Sequence, residues 1–163
     1  MSICPTLCPL CFNQLLVKLK VGWIGKTKDA AIQALTAEYL KRLRHYAEAE
    51  GMTFSNEEAL LKFRERAGTR PAHSIVLLDS RGKQLTSEEL ASFLDNHQNR
   101  SPHPLLFAIG NADGFSEEAR KSASFVLSLS RMTFPHELAR VVLLEQLYRA
   151  LSILKGHPYH LGH

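Results

Sequence analysis

Cysteine is nearly absent from this chain of 163 residues: Cys4, Cys8 and Cys11 all fall within the first eleven positions, and none follows. No disulfide can tie distant elements together, and such usage suits a reducing compartment. Long apolar runs are missing too. None approaches the roughly 18 consecutive apolar residues that a membrane span requires, and the N-terminus lacks the basic start, apolar stretch and small-residue cleavage site of a secretory signal. A cytoplasmic location is expected. Strong charge of either sign is also lacking, since the formal net charge is only +4. What the chain does have is a hydrophobic content of 45%. At this length that is enough for one domain with a real core and no covalent or metal staples.

The mild positive charge is unevenly placed. Residues 1–70 carry eleven Lys/Arg against seven Asp/Glu, whereas residues 71–163 carry nine of each. Lys18, Lys20, Lys26, Lys28, Lys41, Arg42 and Arg44 could follow nucleic-acid phosphates and gain from counterion release. A solvated helix face with charged strand edges would give the same count.

Alternation of Val17, Leu19, Val21 and Trp23 with Lys18, Lys20 and Gly22 predicts a half-buried strand ended by Gly25. From about Asp29 to Glu50 the residues Ile32, Leu35, Tyr39, Leu43 and Tyr46 recur at helical spacing, with Gly51 placed as a C-terminal cap. A short strand at Met52–Phe54 and a helix over Glu57–Arg66 follow, before turn residues Gly68 and Pro71. Ser74–Leu78 and Leu105–Ile109 are continuous apolar runs, the pattern of buried parallel strands. Asp79–Lys83 reads as a loop, and Thr86 with Glu89 forms a capping box for a helix to about His97. Ser116, followed by Glu117 and Glu118, opens another helix, and Phe125–Ser130 reads as a last strand. Strands alternating with helices predict an α/β fold, mostly a parallel sheet with flanking helices.

The final helix, from Pro135 to Lys155, is apolar on more than one side. Leu143, Leu144, Leu147, Leu151 and Leu154 form one face, while Leu138, Val141, Val142 and Tyr148 share a second with Glu145 and Arg149. Burial of both sides in so small a domain points to a second subunit or to an overlying loop of the same chain.

Several motifs are weaker than they look. Gly25-Lys26-Thr27 lacks the earlier glycine of a phosphate-binding loop, because Lys20 stands there. The spacing of Cys4, Cys8 and Cys11 resembles the cluster-binding signature of radical S-adenosylmethionine enzymes, but this chain is too short for their barrel. His157, His160 and His163 are spaced three apart at a terminus, where fraying argues against a ligand set, and no metal is expected. Gly110-Asn111-Ala112-Asp113-Gly114 is better placed. It follows a buried strand and precedes a helix, the position of a ligand-binding turn at the carboxyl end of a parallel sheet.

The stretch LSLSRMTFPHELARVVLLEQLYRALSILKGHPYH (Leu127–His160), with IVLLDSRGK (Ile75–Lys83) and FAIGNADG (Phe107–Gly114), closely resembles the RlmH family of SPOUT-class methyltransferases. The likeness covers about residues 17–163. It implies one SPOUT-type domain over 17–163, α/β with a trefoil knot, in which the C-terminal segment threads through a loop, an exception to the avoidance of knots. Residues 1–16 are then an extension, expected to be disordered or a mis-assigned start, with Val17 the hypothesised first residue. The resemblance implies a homodimer that uses S-adenosylmethionine, without metal, to methylate ring nitrogen 3 of a pseudouridine in 23S ribosomal RNA on the ribosome. It places the cofactor against Leu78, Gly110 and the loop Leu129-Ser130-Arg131-Met132-Thr133-Phe134. Because the target imide nitrogen is mostly protonated at neutral pH, a base or a stabilising cation is expected to help. Tyr159, His160 and His157 of the tail are the candidates, followed by Arg140 for charge and His136 beside the cofactor loop. Gly110 is followed by Asn111, the non-glycine residue that best tolerates a positive φ. A non-catalytic SAM- or ribosome-binding module of the same fold is the alternative, and turnover separates the two.

Overall fold

The computed structural model describes residues 17–65 and 73–159. The extension 1–16, the turn at Gly68 and Pro71, and His160 lie outside the described residues. The described chain runs β1 (Val17–Ile24), α1 (Ala30–Leu43), β2 (Ala47–Phe54), α2 (Glu57–Glu65), β3 (Ser74–Gln84), α3 (Ser87–Arg100), β4 (Leu105–Ile109), α4 (Glu117–Ser122), β5 (Phe125–Ser128) and α5 (His136–Leu154). All four strand pairings are parallel, in the order β2-β1-β4-β3-β5.

Helices cover both faces, as parallel sheets require. Residues alternate between the two layers: Leu105, Phe107 and Ile109 of β4 enter the core with α1, α3 and α5, while Leu106 and Ala108 join Leu60 of α2 and Ala119 of α4. All five β4 residues are buried. Each such large side chain contributes about 1.5–3 kcal/mol relative to exposure. The capping box on α3 is present, Thr86 accepting from Glu89 N and Glu89 accepting from Thr86 N.

Three expectations need correction. β1 keeps the expected alternation over Val17–Val21 but is an inner strand covered on both faces toward its end, where its glycine has a packing reason: a Cβ on Gly22 would lie 2.6 Å from the Phe54 ring. The first helix stops at Leu43, not near Glu50, because Ala47 and Ala49 are buried against β1 while Glu48 and Glu50 face solvent. That period of two belongs to a strand, and strand pairing overrides the helical spacing that Tyr46 had extended. Gly51 is accordingly no helix cap. It pairs with Val21, and a Cβ there would meet Leu40 at 2.7 Å.

The third correction concerns Asp79–Lys83. The residues belong to β3, yet they interrupt its ladder, since both Leu78 and Lys83 register against Leu127. Residues 79–82 therefore arch over β5. At the end of the arch, a Cβ on Gly82 would stand 2.6–2.7 Å from backbone atoms of Val126 and Leu127.

α5 buries Leu143, Leu144, Leu147 and Leu151, as its first apolar face requires. Leu154 is 37% exposed. Of the second set, Val141 is buried and Tyr148 packs against Tyr39, Tyr46 and Tyr159 of the same chain, while Leu138 is 42% exposed. Part of that side is thus covered by the chain itself.

Because backbone cannot yield as a flexible side chain does, Gly82→Ala is expected to destabilise the protein by roughly 1–3 kcal/mol or more. Urea unfolding of the variant beside wild type measures it, and an unchanged midpoint would contradict the close crossing.

Candidate cofactor cleft

The carboxyl ends of β3, β4 and β5 open into a cleft of about 270 Å³. That is close to the lower end of the roughly 300–1,000 Å³ typical of ligand pockets. Its floor is Leu78, Ile109 and Leu127, and its walls are the arch, the Gly110–Gly114 loop, the segment Ser128–Phe134 and the first turn of α5. Each wall is held by a local device. Ser128 Oγ donates to the Ser130 carbonyl at 2.8 Å, and Met132 N donates to Ser130 Oγ at 3.0 Å, fixing a segment with no regular structure. Asn111 and Gly114 close a tight turn: Gly114 N donates to Asn111 O at 3.1 Å, with Gly114 at φ +75. Asn111 Oδ1 accepts from Asp113 N at 3.2 Å. No non-glycine residue among those described has a positive φ, so Asn111 fits without that tolerance. Gly110 is needed for close approach, since a Cβ there would lie 3.2 Å from the Gly114 backbone.

A charged strut joins two walls. Arg120 of α4 donates to Asp79 Oδ2 at 3.2 Å, to Glu117 at 2.7 Å and to the Phe115 carbonyl. Glu57 of α2 braces the same corner, accepting from Ser116 N at 2.9 Å and Ser116 Oγ at 2.5 Å. The Asp79 carboxylate is only 5% exposed and also accepts from Arg81 N and Nε. Burial pushes its pKa up, but the hydrogen bonds from Arg81 and the charges of Arg81 and Arg120 outweigh it and hold the carboxyl below its ordinary value.

Of the expected cofactor residues, Leu78, Gly110, Leu129, Ser130, Met132, Thr133 and Phe134 line this cleft, and His136 joins them. Arg131 is exposed but does not line it. Asp79, Ser80 and Arg81 were missed. Their position directly after a buried parallel strand was the available signal.

The candidate catalytic residues do not gather here. Arg140 is 2% exposed, its guanidinium 4.3 Å from the Trp23 ring, and its Nε and Nη2 have no hydrogen-bond partner among the described residues. Burial lowers its pKa, and Glu137 opposes the shift. Tyr159 and His157 follow α5 in sequence, and the tail turns back along that helix. The 19 residues of α5 make it about 28 Å long at 1.5 Å per residue. There the Tyr159 hydroxyl donates to Glu145 Oε1 at 3.3 Å, its ring meets Tyr148 edge-on at 4.8 Å, and Arg149 stands 5.1 Å from its centroid. Burial first, and then the Glu145 charge, push its pKa up to about 12. His157 Nδ1 accepts from Tyr159 N at 3.3 Å.

A parallel α/β sheet with its cleft walled by a strand arch and the segment after β5 is the architecture of a class of methyltransferases. Among solved structures, the fold is similar to a probable methylase family protein of Haemophilus influenzae Rd KW20, with TM-score 0.54 and 11% identity over 89% of this chain and 71% of that one. It is also similar to the SpoU methyltransferase AviRb of Streptomyces viridochromogenes in complex with AdoMet, with TM-score 0.52 and 15% identity over 87% of this chain and 60% of that one. The family model described as predicted SPOUT methyltransferase matches residues 17–160. Within that class, the chain is 60% identical over 147 residues to ribosomal RNA large subunit methyltransferase H of Koribacter versatilis, covering 90% of this chain and all of that protein. The protein of the same name from Gloeobacter violaceus is 42% identical over 154 residues, covering 90% and 100%. The chain belongs to the SPOUT methyltransferase family, in its ribosomal RNA large subunit methyltransferase H branch.

Asp79 has a folded pKa below its unfolded value of about 4, so it contributes stability above that pH and loses it as pH falls through the folded value. Asp79→Asn should therefore be less stable than wild type at neutral pH, with the gap closing below about pH 4. Urea unfolding over a pH series tests the sign, and a gap that widens with acid would refute it.

Proposed function

We propose that this protein transfers a methyl group from S-adenosylmethionine to ring nitrogen 3 of a pseudouridine in 23S ribosomal RNA, acting on the ribosome in the cytoplasm as a homodimer. One observation carries the cofactor assignment: the cleft of about 270 Å³ has seven of the eight expected residues on its walls, with Gly110 packed against the Gly114 backbone and open space beside Gly114. Identity to methyltransferases of the large-subunit RNA carries the substrate assignment. The arch of residues 79–82 over β5 supports a threaded, knotted C-terminal segment.

When bound, S-adenosylmethionine would supply a methyl group on a cationic sulfur, ready for in-line displacement. Leu78, Ile109 and the 128–134 segment would hold it and exclude water. The tail's role follows from α5. Its first turn lines the cleft, while Tyr159 is held against Glu145 and Tyr148, about 14–18 Å further along the helix by rise, so in this arrangement the hydroxyl does not reach its own chain's cleft. Two copies with antiparallel α5 helices would place each tail at the other's cleft, and the exposed Leu138 and Leu154 suit such a contact.

Tyr159 has a role consistent with its environment. With a pKa of about 12 it stays neutral, and its one hydroxyl hydrogen, held by Glu145 here, would turn to stabilise an oxygen that gains charge as the imide proton leaves. A neutral tyrosine is no base. His160 is the proposed proton acceptor and Arg140 the proposed charge near the cleft, with His157 positioning the tail.

Mass spectrometry of the pseudouridine-containing stem-loop, after incubating unmethylated ribosomes with protein and S-adenosylmethionine, should find one added methyl group. Its absence despite measurable cofactor binding would instead favour a non-catalytic module of the same fold. The shared site has its own test. Tyr159→Phe with His160→Ala in one copy and Gly110→Val in the other should each inactivate a homodimer, while the mixed dimer regains one working site. A mixed dimer as dead as its parents would refute the exchange of tails.

A further inference from the structure

The loop between β1 and α1 is firmly pinned, yet its cations form no ion pair with any described residue. Gly25, at φ +91, donates from its N–H to Phe54 O at 3.0 Å. Gln33 Nε2 donates to Thr27 O at 2.9 Å, and Asp29 Oδ1 accepts from Ala31 N at 2.8 Å and Ile32 N at 3.1 Å to cap α1. Asp29, the nearest acid in sequence, is thereby committed to the helix. Lys26 and Lys28 are exposed, and neither forms an ion pair with any described residue.

The contrast with the other end of β1 is informative. There Lys18 pairs with Glu48 at 3.9 Å and Lys20 with Glu50 at 2.9 Å, each across the β1–β2 register. Among the described residues, one strand thus carries ion-paired lysines toward its start and lysines without an ion pair just past its end. That end is where the cleft opens. Trp23 registers against Ile109, which lines the cleft, so the Lys26 backbone, three residues past Trp23, lies within roughly 16 Å of it by strand spacing and chain reach. Arg131, also exposed and without an ion pair among the described residues, belongs to the segment on the cleft's opposite wall.

Positive charge on both sides of a cleft, held on a rigid loop and paired with no described acid, fits a polyanion lying across the opening. Of the acids on the walls, Asp79 is engaged by Arg81 and Arg120, and Asp113 is exposed on the loop between. We propose that Lys26 and Lys28, with Arg131 opposite, form the phosphate-binding rim that seats the RNA strand carrying the target base; this rests on the RNA methyltransferase reading above. Lys26 and Lys28 act on RNA affinity and not on the chemical step.

The test is steady-state methylation of unmethylated ribosomes across a salt series by wild type, by the double variant Lys26→Gln with Lys28→Gln, and by a control pair, Lys18→Gln with Lys20→Gln. The Lys26/Lys28 variant should raise the ribosome KM about tenfold and flatten the log KM against log salt slope by about 1.5, since each lost phosphate contact removes roughly 0.7–0.9. Its kcat at saturating ribosome, its KM for S-adenosylmethionine and its Tm should match wild type. The control pair should keep the wild-type ribosome KM. An unchanged KM and slope overturn the rim, as does a raised KM with an unchanged slope or equal loss in both pairs. A wild-type protein that methylates no ribosome sinks the parent reading instead.

Discussion

The carboxyl edge of this molecule depends on how closely two backbones cross at Gly82. Only a residue without a side chain lets β3 resume its pairing after the arch, because Val126 and Leu127 occupy the space where a Cβ would sit. With the arch in place, Leu127 is registered on both sides of it. That fixes where β5 ends, and hence where the Ser128–Phe134 segment enters the cleft and where α5 begins. A steric constraint at a single α-carbon thus places a wall of the candidate cofactor site.

Charge reinforces that arrangement. Arg120 ties the arch to the Gly110–Gly114 corner through Asp79 and the Phe115 carbonyl, while Glu57 reaches the same corner from the neighbouring helix. These groups are largely removed from water, where hydrogen-bonded ion pairs fix geometry more than they add stability. Arg140 is a different case. Its buried donors have no partner among the described residues, and its flat face rests on Trp23. Burying a guanidinium with unmet donors is costly, and the face of the Trp23 ring offsets part of that cost.

Much of this was legible in the residues. Continuous apolar runs gave β4 and the first half of β3, because strands buried on both faces carry no alternation to misread, and Thr86 with Glu89 marked the start of α3. The seam between α1 and β2 was not. Tyr46 continues the helical spacing of Tyr39 and Leu43, and only the pairing of Ala47 and Ala49 with β1 decides that the chain turns there. The arch was read as a loop for a similar reason: its polar sequence is that of a turn, while its return to the ladder depends on a contact with residues over forty positions later. Most cofactor residues were found through family likeness. That likeness could not reveal that the tail folds back on Glu145 and Tyr148 and so holds Tyr159 well short of the cleft, which is a fact of packing and helix rise and not of motif.

The sheet order β2-β1-β4-β3-β5 also constrains how the protein is made. β1 and β2 can pair early, but β1 must wait for β4, and β3 for β5, before either inner strand is covered on both edges. Non-local parallel pairing of this kind is slow, and unpaired strand edges are exposed meanwhile. The segment that walls the cleft and the helix that closes the core are the last described parts to be synthesised. A chain still being translated therefore has most of its sheet but no complete cleft, and acquires cofactor affinity only once its C-terminal helix has docked.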